Sequence, residues 1–126
     1  MTQSSISLYR RIGGYDVIAA VIDDMFTLLH DDSSFARFFA GRSLDSFNRS
    51  RQLLVDQMCE LTGGPCRYIG RDMKTSHVGL AISNAEWDAN MTAADAALAK
   101  NGVDDADRAQ FLGLFGRYRD EIVERD

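Results

Sequence analysis

Four side chains in this sequence have the chemistry to hold a metal ion strongly: His30, His77, Cys59 and Cys66. A zinc site gathers three or four nitrogen or sulfur ligands into one cluster. That would require all four residues, drawn from separate segments. The two cysteines do not have C-x-x-C spacing, and no second pair completes a zinc motif. A haem iron asks for less. One strong protein ligand suffices and leaves the other axial position for a gas or water. His30 falls at the end of an expected helix, where a surface cation is mildly favoured by the helix dipole. His77, taken alone, is either an iron ligand or an ordinary surface or core histidine. The expectation for Cys59 and Cys66 is two free thiols in a reducing compartment. A disulfide between them stays open, because sequence does not fix their separation.

The bulk composition narrows the field. At 126 residues the chain is one domain's worth, 1–126, with room for one real core and one deep pocket. A net charge of -5 repels phosphate backbones, which argues against nucleic acid as a partner. No run approaches the roughly 18 apolar residues that span a bilayer, so no membrane partner is expected. The segment from Met1 to Ser7 lacks the charged and apolar blocks of a signal peptide, which points to a cytoplasmic protein.

The elements that must position His77 read as helices. Ser7 to Ile12 is a short helix stopped by Gly13-Gly14. Tyr15 to His30 carries Ile18, Ile22, Met25 and Leu29 at steps of four, three and four, with Val21 and Leu28 widening the stripe. Phe35 to Phe39 is an aromatic turn. Leu44 to Thr62 is a long helix bearing Leu44, Phe47, Leu54, Met58 and Leu61, with Arg51 interrupting its apolar face. Gly63-Gly64-Pro65 ends it. Cys66 to Lys74 reads as loop, and Thr75 to Leu80 as a short turn of helix around His77. Ser83 and Glu86 form a capping-box signature before Trp87, Met91, Ala94 and Leu98. After Gly102, a last helix opens at Asp104-Asp105 and carries Phe111, Leu114, Phe115, Tyr118 and Ile122. No segment alternates convincingly with period two. The fold class is all-α, and such stripes alone would also suit a plain four-helix bundle.

The ordered motifs go further. Leu8-Tyr9-Arg10-Arg11-Ile12-Gly13-Gly14 opens the chain, and Phe38-Phe39 precedes a small residue and Gly41. Gly63-Gly64-Pro65 leads to Tyr68-Ile69-Gly70-Arg71-Asp72-Met73-Lys74 and then His77-Val78-Gly79-Leu80. Gly102-Val103 and Tyr118-Arg119-Asp120-Glu121-Ile122 follow. Across nearly its whole length the sequence resembles the truncated haemoglobins, their first group in particular. The resemblance implies a two-over-two helical sandwich around a b-type haem, with His77 as the proximal iron ligand. It also implies that Phe39 packs flat on the porphyrin and that Met73, Ile82, Trp87 and Met91, with Leu54 and Met58, wall the pocket. Arg71 and Lys74 become candidates to pair with the haem propionates, with Tyr68 as a further hydroxyl donor; ordinary solvated charges are the alternative for both cations.

On the ligand side the sequence departs from the family. Where many members carry a tyrosine, Phe26 stands here. Between Phe39 and Gly63 the chain is about three residues longer than the commoner pattern, nearly one helical turn. Counting forward from Phe39 brings Phe47 and Arg51 to the ligand; counting back from Gly63 brings Ser50 and Leu54. Hydrophobic patterning favours Leu54 and turns Gln52 and Gln57 away. Arg51 either holds an anion near the iron or faces solvent. The expectation is an unusually apolar distal pocket that stabilises bound oxygen weakly. The resemblance admits two functions: reversible binding of O2, CO or NO for storage, transport or sensing, or a haem enzyme that detoxifies nitric oxide or peroxide and depends on a reductase. A haem-free helical interaction module is the third reading.

Overall fold

The computed structural model describes residues 6–126, so Met1 to Ser5 of the polar N-terminal segment lie outside the described residues. Among the described residues eight α-helices follow one another: α1 (Leu8–Ile12), α2 (Tyr15–His30), α3 (Ala36–Phe39), α4 (Leu44–Leu61), α5 (Met73–His77), α6 (Asn84–Lys100), α7 (Asp105–Gly116) and α8 (Arg119–Ile122). A 3-10 turn, Ser33–Phe35, leads into α3. No strand occurs among the described residues; an isolated bridge pairs Ser83 with Arg125. The all-α expectation holds.

Helix starts follow local chemistry. Ser7, Ser43 and Asp104 each accept a backbone N–H from their own first turn, and Ser83 with Glu86 forms the reciprocal capping box that the sequence signals. Helix ends follow the glycines. Gly13 closes α1 in the left-handed region at φ 116°, where a side chain is strained.

Helix α2 is the keystone of the packing. It lies against both α4 and α6, while α6 in turn packs on α7. The α2–α4 pair is thereby stacked on the α6–α7 pair. Ile18, Val21, Ile22 and Met25 of α2 are almost completely buried, and α6 answers with Ala93, Ala94, Ala97 and Leu98. Three alanines on the buried face of α6 allow close approach of the two backbones, which aromatic residues at those positions would prevent.

Three sequence expectations need correction. Leu28 and Leu44 belong to no buried stripe, being 45% and 73% exposed. The last helix is two pieces, α7 and α8, because the chain leaves helical geometry after Gly116 and restarts at Arg119. That break turns Tyr118 and Ile122 away from the α7 axis toward α5, on which α8 packs. Third, Cys59 and Cys66 are joined as a disulfide, with Cα atoms 5.7 Å apart. The Gly63-Gly64-Pro65 turn folds the chain back on the last turn of α4 and brings residue 66 beside residue 59. The approach is close enough that a Cβ on Gly64 would fall 2.7 Å from Cys59 Sγ and 2.5 Å from the Tyr9 ring.

An ion pair ties α3 to the start of α6. The Arg37 guanidinium lies 4.1 Å over the Phe38 ring and pairs with the buried Glu86 carboxylate, with Nη2 donating to Oε1 at 2.9 Å. Glu86 also accepts the Ser83 N–H at 2.9 Å. The Arg37 hydrogen bond, opposed by burial and helped by Ser83, holds the Glu86 carboxyl down at about 2. The folded state therefore releases this proton more readily than the unfolded chain, whose glutamate titrates near the ordinary 4.5. Its stabilisation is complete above the ordinary value and is lost as pH falls toward 2. In denaturant titrations across pH, the wild type should lose stability over that acidic window, and Glu86→Gln should be less stable at neutral pH with a flatter acid slope.

Candidate functional site

A cavity of about 640 Å³ opens between the helices. Helix α2 contributes Met25, Phe26 and Leu29, and α3 contributes Phe38 and Phe39. From α4 come Phe47, Ser50, Leu53, Leu54 and Gln57, a stripe whose core runs at i, i+3, i+7 and i+10. Met73, Ser76 and His77 enter from α5, Trp87 and Asn90 from α6, and Phe115, Tyr118 and Ile122 from the C-terminal helices. The lining is largely apolar and aromatic. Phe26 meets Phe47 edge-on with ring centroids 5.3 Å apart, and Phe39 lies between Phe47 at 6.2 Å and His30 at 5.2 Å. These contacts brace the aromatic wall without filling the space in front of it.

His77 is fixed by its neighbours. Its Nδ1 lies 2.9 Å from the Met73 carbonyl oxygen and 2.8 Å from Ser76 Oγ. A carbonyl only accepts, so Nδ1 carries the proton and Nε2 keeps its lone pair free. That tautomer and ring orientation are what a metal-ligating imidazole requires. Beyond His77 the chain turns sharply through residues 78–81. There Glu124 binds two backbone amides, Oε2 accepting from Gly79 at 3.1 Å and Oε1 from Ala81 at 2.8 Å. These two bonds hold the Glu124 carboxyl below its ordinary range.

The structure brings together most of the residues singled out from sequence. Phe26, Phe39, Phe47, Ser50, Leu54, Tyr68, Arg71, Met73, His77, Ile82 and Trp87 all line this one cavity. Four do not. Arg51 is turned to α2, where Nε and Nη2 bind the Asp23 carboxylate at 2.6 and 2.9 Å. Met58, one helical step on the same flank of α4, is sealed in the core. Lys74 is exposed and outside the cavity wall, one residue and a 100° rotation from Met73. Met91 rotates out of the cavity into a shallow hollow between α6 and α7, beside Asp95 and Arg108.

Gln57 reverses an expectation. It is buried, lines the cavity, and its Nε2 donates to Met73 Sδ at 3.4 Å. The amide thereby stitches α4 to the start of α5. The i, i+3, i+7, i+10 stripe through Phe47 was the signal for it, masked by grading residues on hydrophobicity alone. Gln52 does point away, to Tyr15 Oη at 2.8 Å. The wall is therefore apolar around Phe26, Phe47 and Leu54 but carries an amide at one edge.

Three arginines reach the cavity. Arg37 is spent on Glu86. Arg42, which sequence reading passed over, donates to Ser46 and, at 2.7 Å, to Ser50 Oγ. Neither Arg42 nor Arg71 forms an ion pair among the described residues. Tyr68 donates its hydroxyl to the Arg71 carbonyl, and burial raises its pKa, so it stays protonated.

Comparison with known proteins gives this arrangement a family. The family model for bacterial-like globins matches residues 7–124. The chain belongs to that family. It is 33% identical over 119 residues to the group 1 truncated hemoglobin GlbN of Nostoc sp. (strain MUN 8820), covering 94% of this chain and 98% of that protein. It is 27% identical over 100 residues to the group 1 truncated hemoglobin of Tetrahymena pyriformis, covering 79% and 80%. The Fe(III) crystal structure of the truncated hemoglobin from T. pyriformis superposes with a TM-score of 0.84 at 24% identity, over 93% of this chain and 97% of that one. A group II 2-on-2 hemoglobin from Agrobacterium tumefaciens superposes with a TM-score of 0.80 at 20% identity over the full length of both chains. The fold is the two-over-two globin sandwich.

The cofactor of these globins is haem. The residues present fit it: an apolar cavity within the size range of cofactor pockets, one imidazole with a free Nε2, and unpaired guanidinium groups for an acidic edge. The segment after His77 depends on the Glu124 carboxylate. Hydrogen-exchange protection at the Gly79 and Ala81 amides should drop in Glu124→Gln at neutral pH. Wild-type protection should fall toward the variant's only as pH drops below the ordinary carboxylate range.

Proposed function

We propose that this globin binds a diatomic gas reversibly at a haem iron held by His77. The observation that carries the reading is the His77 ring, with Nδ1 hydrogen-bonded to the Met73 carbonyl and Nε2 free at a large apolar cavity. Haem held there would supply an iron able to bind O2, CO or NO. The chain's own residues do the rest. His77 is held in one tautomer by Met73. Phe39, Phe47 and Leu54 would present an apolar surface to the bound group, and Arg71 and Arg42 would offer cations to the propionates. On the ligand side Phe26 has no hydrogen to donate, and the Gln57 amide is held at one edge by Met73.

This wall predicts weak stabilisation of bound oxygen. Hydrogen bonds to charged or strongly polar groups are worth about 1.5–3 kcal/mol, or roughly 10- to 150-fold in a dissociation rate. Stopped-flow mixing of the ferrous protein with oxygen should show rapid release. Phe26→Tyr, which adds one hydroxyl at that position, should slow release by at least about tenfold. Slow release in the wild type, unaffected by Phe26→Tyr and abolished by Gln57→Leu, would assign the ligand contact to Gln57 and refute the apolar reading.

A further inference from the structure

We propose that Cys59 and Cys66 form a reversible redox site, which a dithiol reductant opens and whose state sets how firmly the cavity grips haem. The proposal rests on the haem reading for one of its readouts. The observation behind it is where the bond sits. Cys59 is completely buried on the last turn of α4, two residues beyond Gln57 of the cavity wall, whereas Cys66 is half-buried in the connection to α5. That connection carries Tyr68 and Arg71 to the cavity edge and then delivers Met73 and His77.

Little else secures this segment to α4. Arg67, Ile69, Arg71 and Asp72 are exposed, with Ile69 at 81%. The Tyr68 amide donates to the Glu60 carboxylate at 3.1 Å, and Gln57 meets Met73 through a thioether, a weak acceptor. Helix α5 packs on α8 rather than on α4. The disulfide is thus the covalent attachment between α4 and the segment that leads to His77, standing beside the weak buried contact of Gln57 with Met73. A segment with few buried contacts and solvent-exposed hydrogen bonds opens readily once its anchor is released.

The exchange balances. A reductant thiolate attacks the accessible Cys66 sulfur and the S–S bond breaks, with Cys59 leaving as a thiolate that takes up a proton. The reductant's second thiol then attacks its own sulfur in the mixed disulfide and releases Cys66 as a thiol. The reductant ends as a disulfide and the protein as a dithiol, with two electrons and two protons transferred. Reduced Cys59 is well tolerated in place, since a buried thiol behaves as a small hydrophobe.

The test follows haem transfer from the ferric holoprotein to excess haem-free myoglobin. The protein is compared after air oxidation, after anaerobic dithiothreitol treatment and desalting, and as Cys66→Ser. Thiol counts on each sample establish its state, and hydrogen exchange at the Tyr68 amide is measured alongside. Oxidised protein should show no free thiol. Reduction should speed haem loss by roughly three- to tenfold, within the closure entropy of so short a loop. Cys66→Ser should match the reduced rate and ignore dithiothreitol, and Tyr68 protection should drop in step. Equal haem-loss rates in all three samples would overturn the proposal, as would two thiols that persist through oxidation. A Cys66→Ser effect without a reduction effect would also overturn it, by assigning the change to the side chain and not the bond. Failure of the haem reading is distinct: it shows as no Soret band in any sample, and the Tyr68 amide still reports whether the bond anchors the segment.

Discussion

A chain this short has to keep a large space open inside a single core. At about 24 cal/mol per Å³, a sealed apolar void of about 640 Å³ would cost about 15 kcal/mol. That equals the whole stability of an ordinary domain. The cavity opens to solvent, which lowers the cost, but the constraint still organises the fold. The walls must resist collapse, and a flat apolar occupant must stabilise what they leave open. Helices α2 and α6 meet through small residues and form a rigid floor. Phe26, Phe39 and Phe47 brace one another along one side. Arg37 and Glu86 lock α3 to the head of α6 beside the opening. Each device keeps side chains apart that would otherwise close on the space.

His77 is the residue through which the proposed function would draw on that scaffold. It stands at the end of a one-turn helix, too short to hold itself by backbone hydrogen bonds alone. Its ring is oriented by Met73, its following turn by Glu124, and its helix by α8. The preceding connection is tied to the distal helix by the disulfide. The two sides of the cavity are therefore linked through the protein itself, at the Cys59–Cys66 bond.

Much of this was legible in the sequence, for identifiable reasons. Amphipathic stripes at helical spacing marked α2, α4 and α6, and the double glycines marked the joints. His77 stood out only through its distance from Gly63-Gly64-Pro65. What stayed hidden depended on rotation or on folding back. Arg51, Met58 and Met91 each sit a fraction of a turn from cavity residues, and periodicity does not resolve which flank meets a neighbouring helix. Hydrophobic patterning turns Gln57 away from the cavity because a buried amide has no hydrophobic signature. The Cys59–Cys66 pairing depended on the hairpin geometry of a glycine turn, which spacing alone leaves undetermined. The extra turn between Phe39 and Gly63 gave two registers. The wall runs through Ser50, Leu54 and Gln57, with Phe47 alongside and Arg51 outside.

The central claim is that His77 supplies the iron ligand. Its most direct test is the absorption spectrum of the ferrous and carbonyl forms of wild type and His77→Gly after haem titration, each with and without added imidazole. The account predicts one haem per wild-type chain and a histidine-ligated carbonyl spectrum. In His77→Gly that signature should be lost and then restored by imidazole entering the vacated space. Identical spectra in the two proteins, with no response to imidazole, would contradict it.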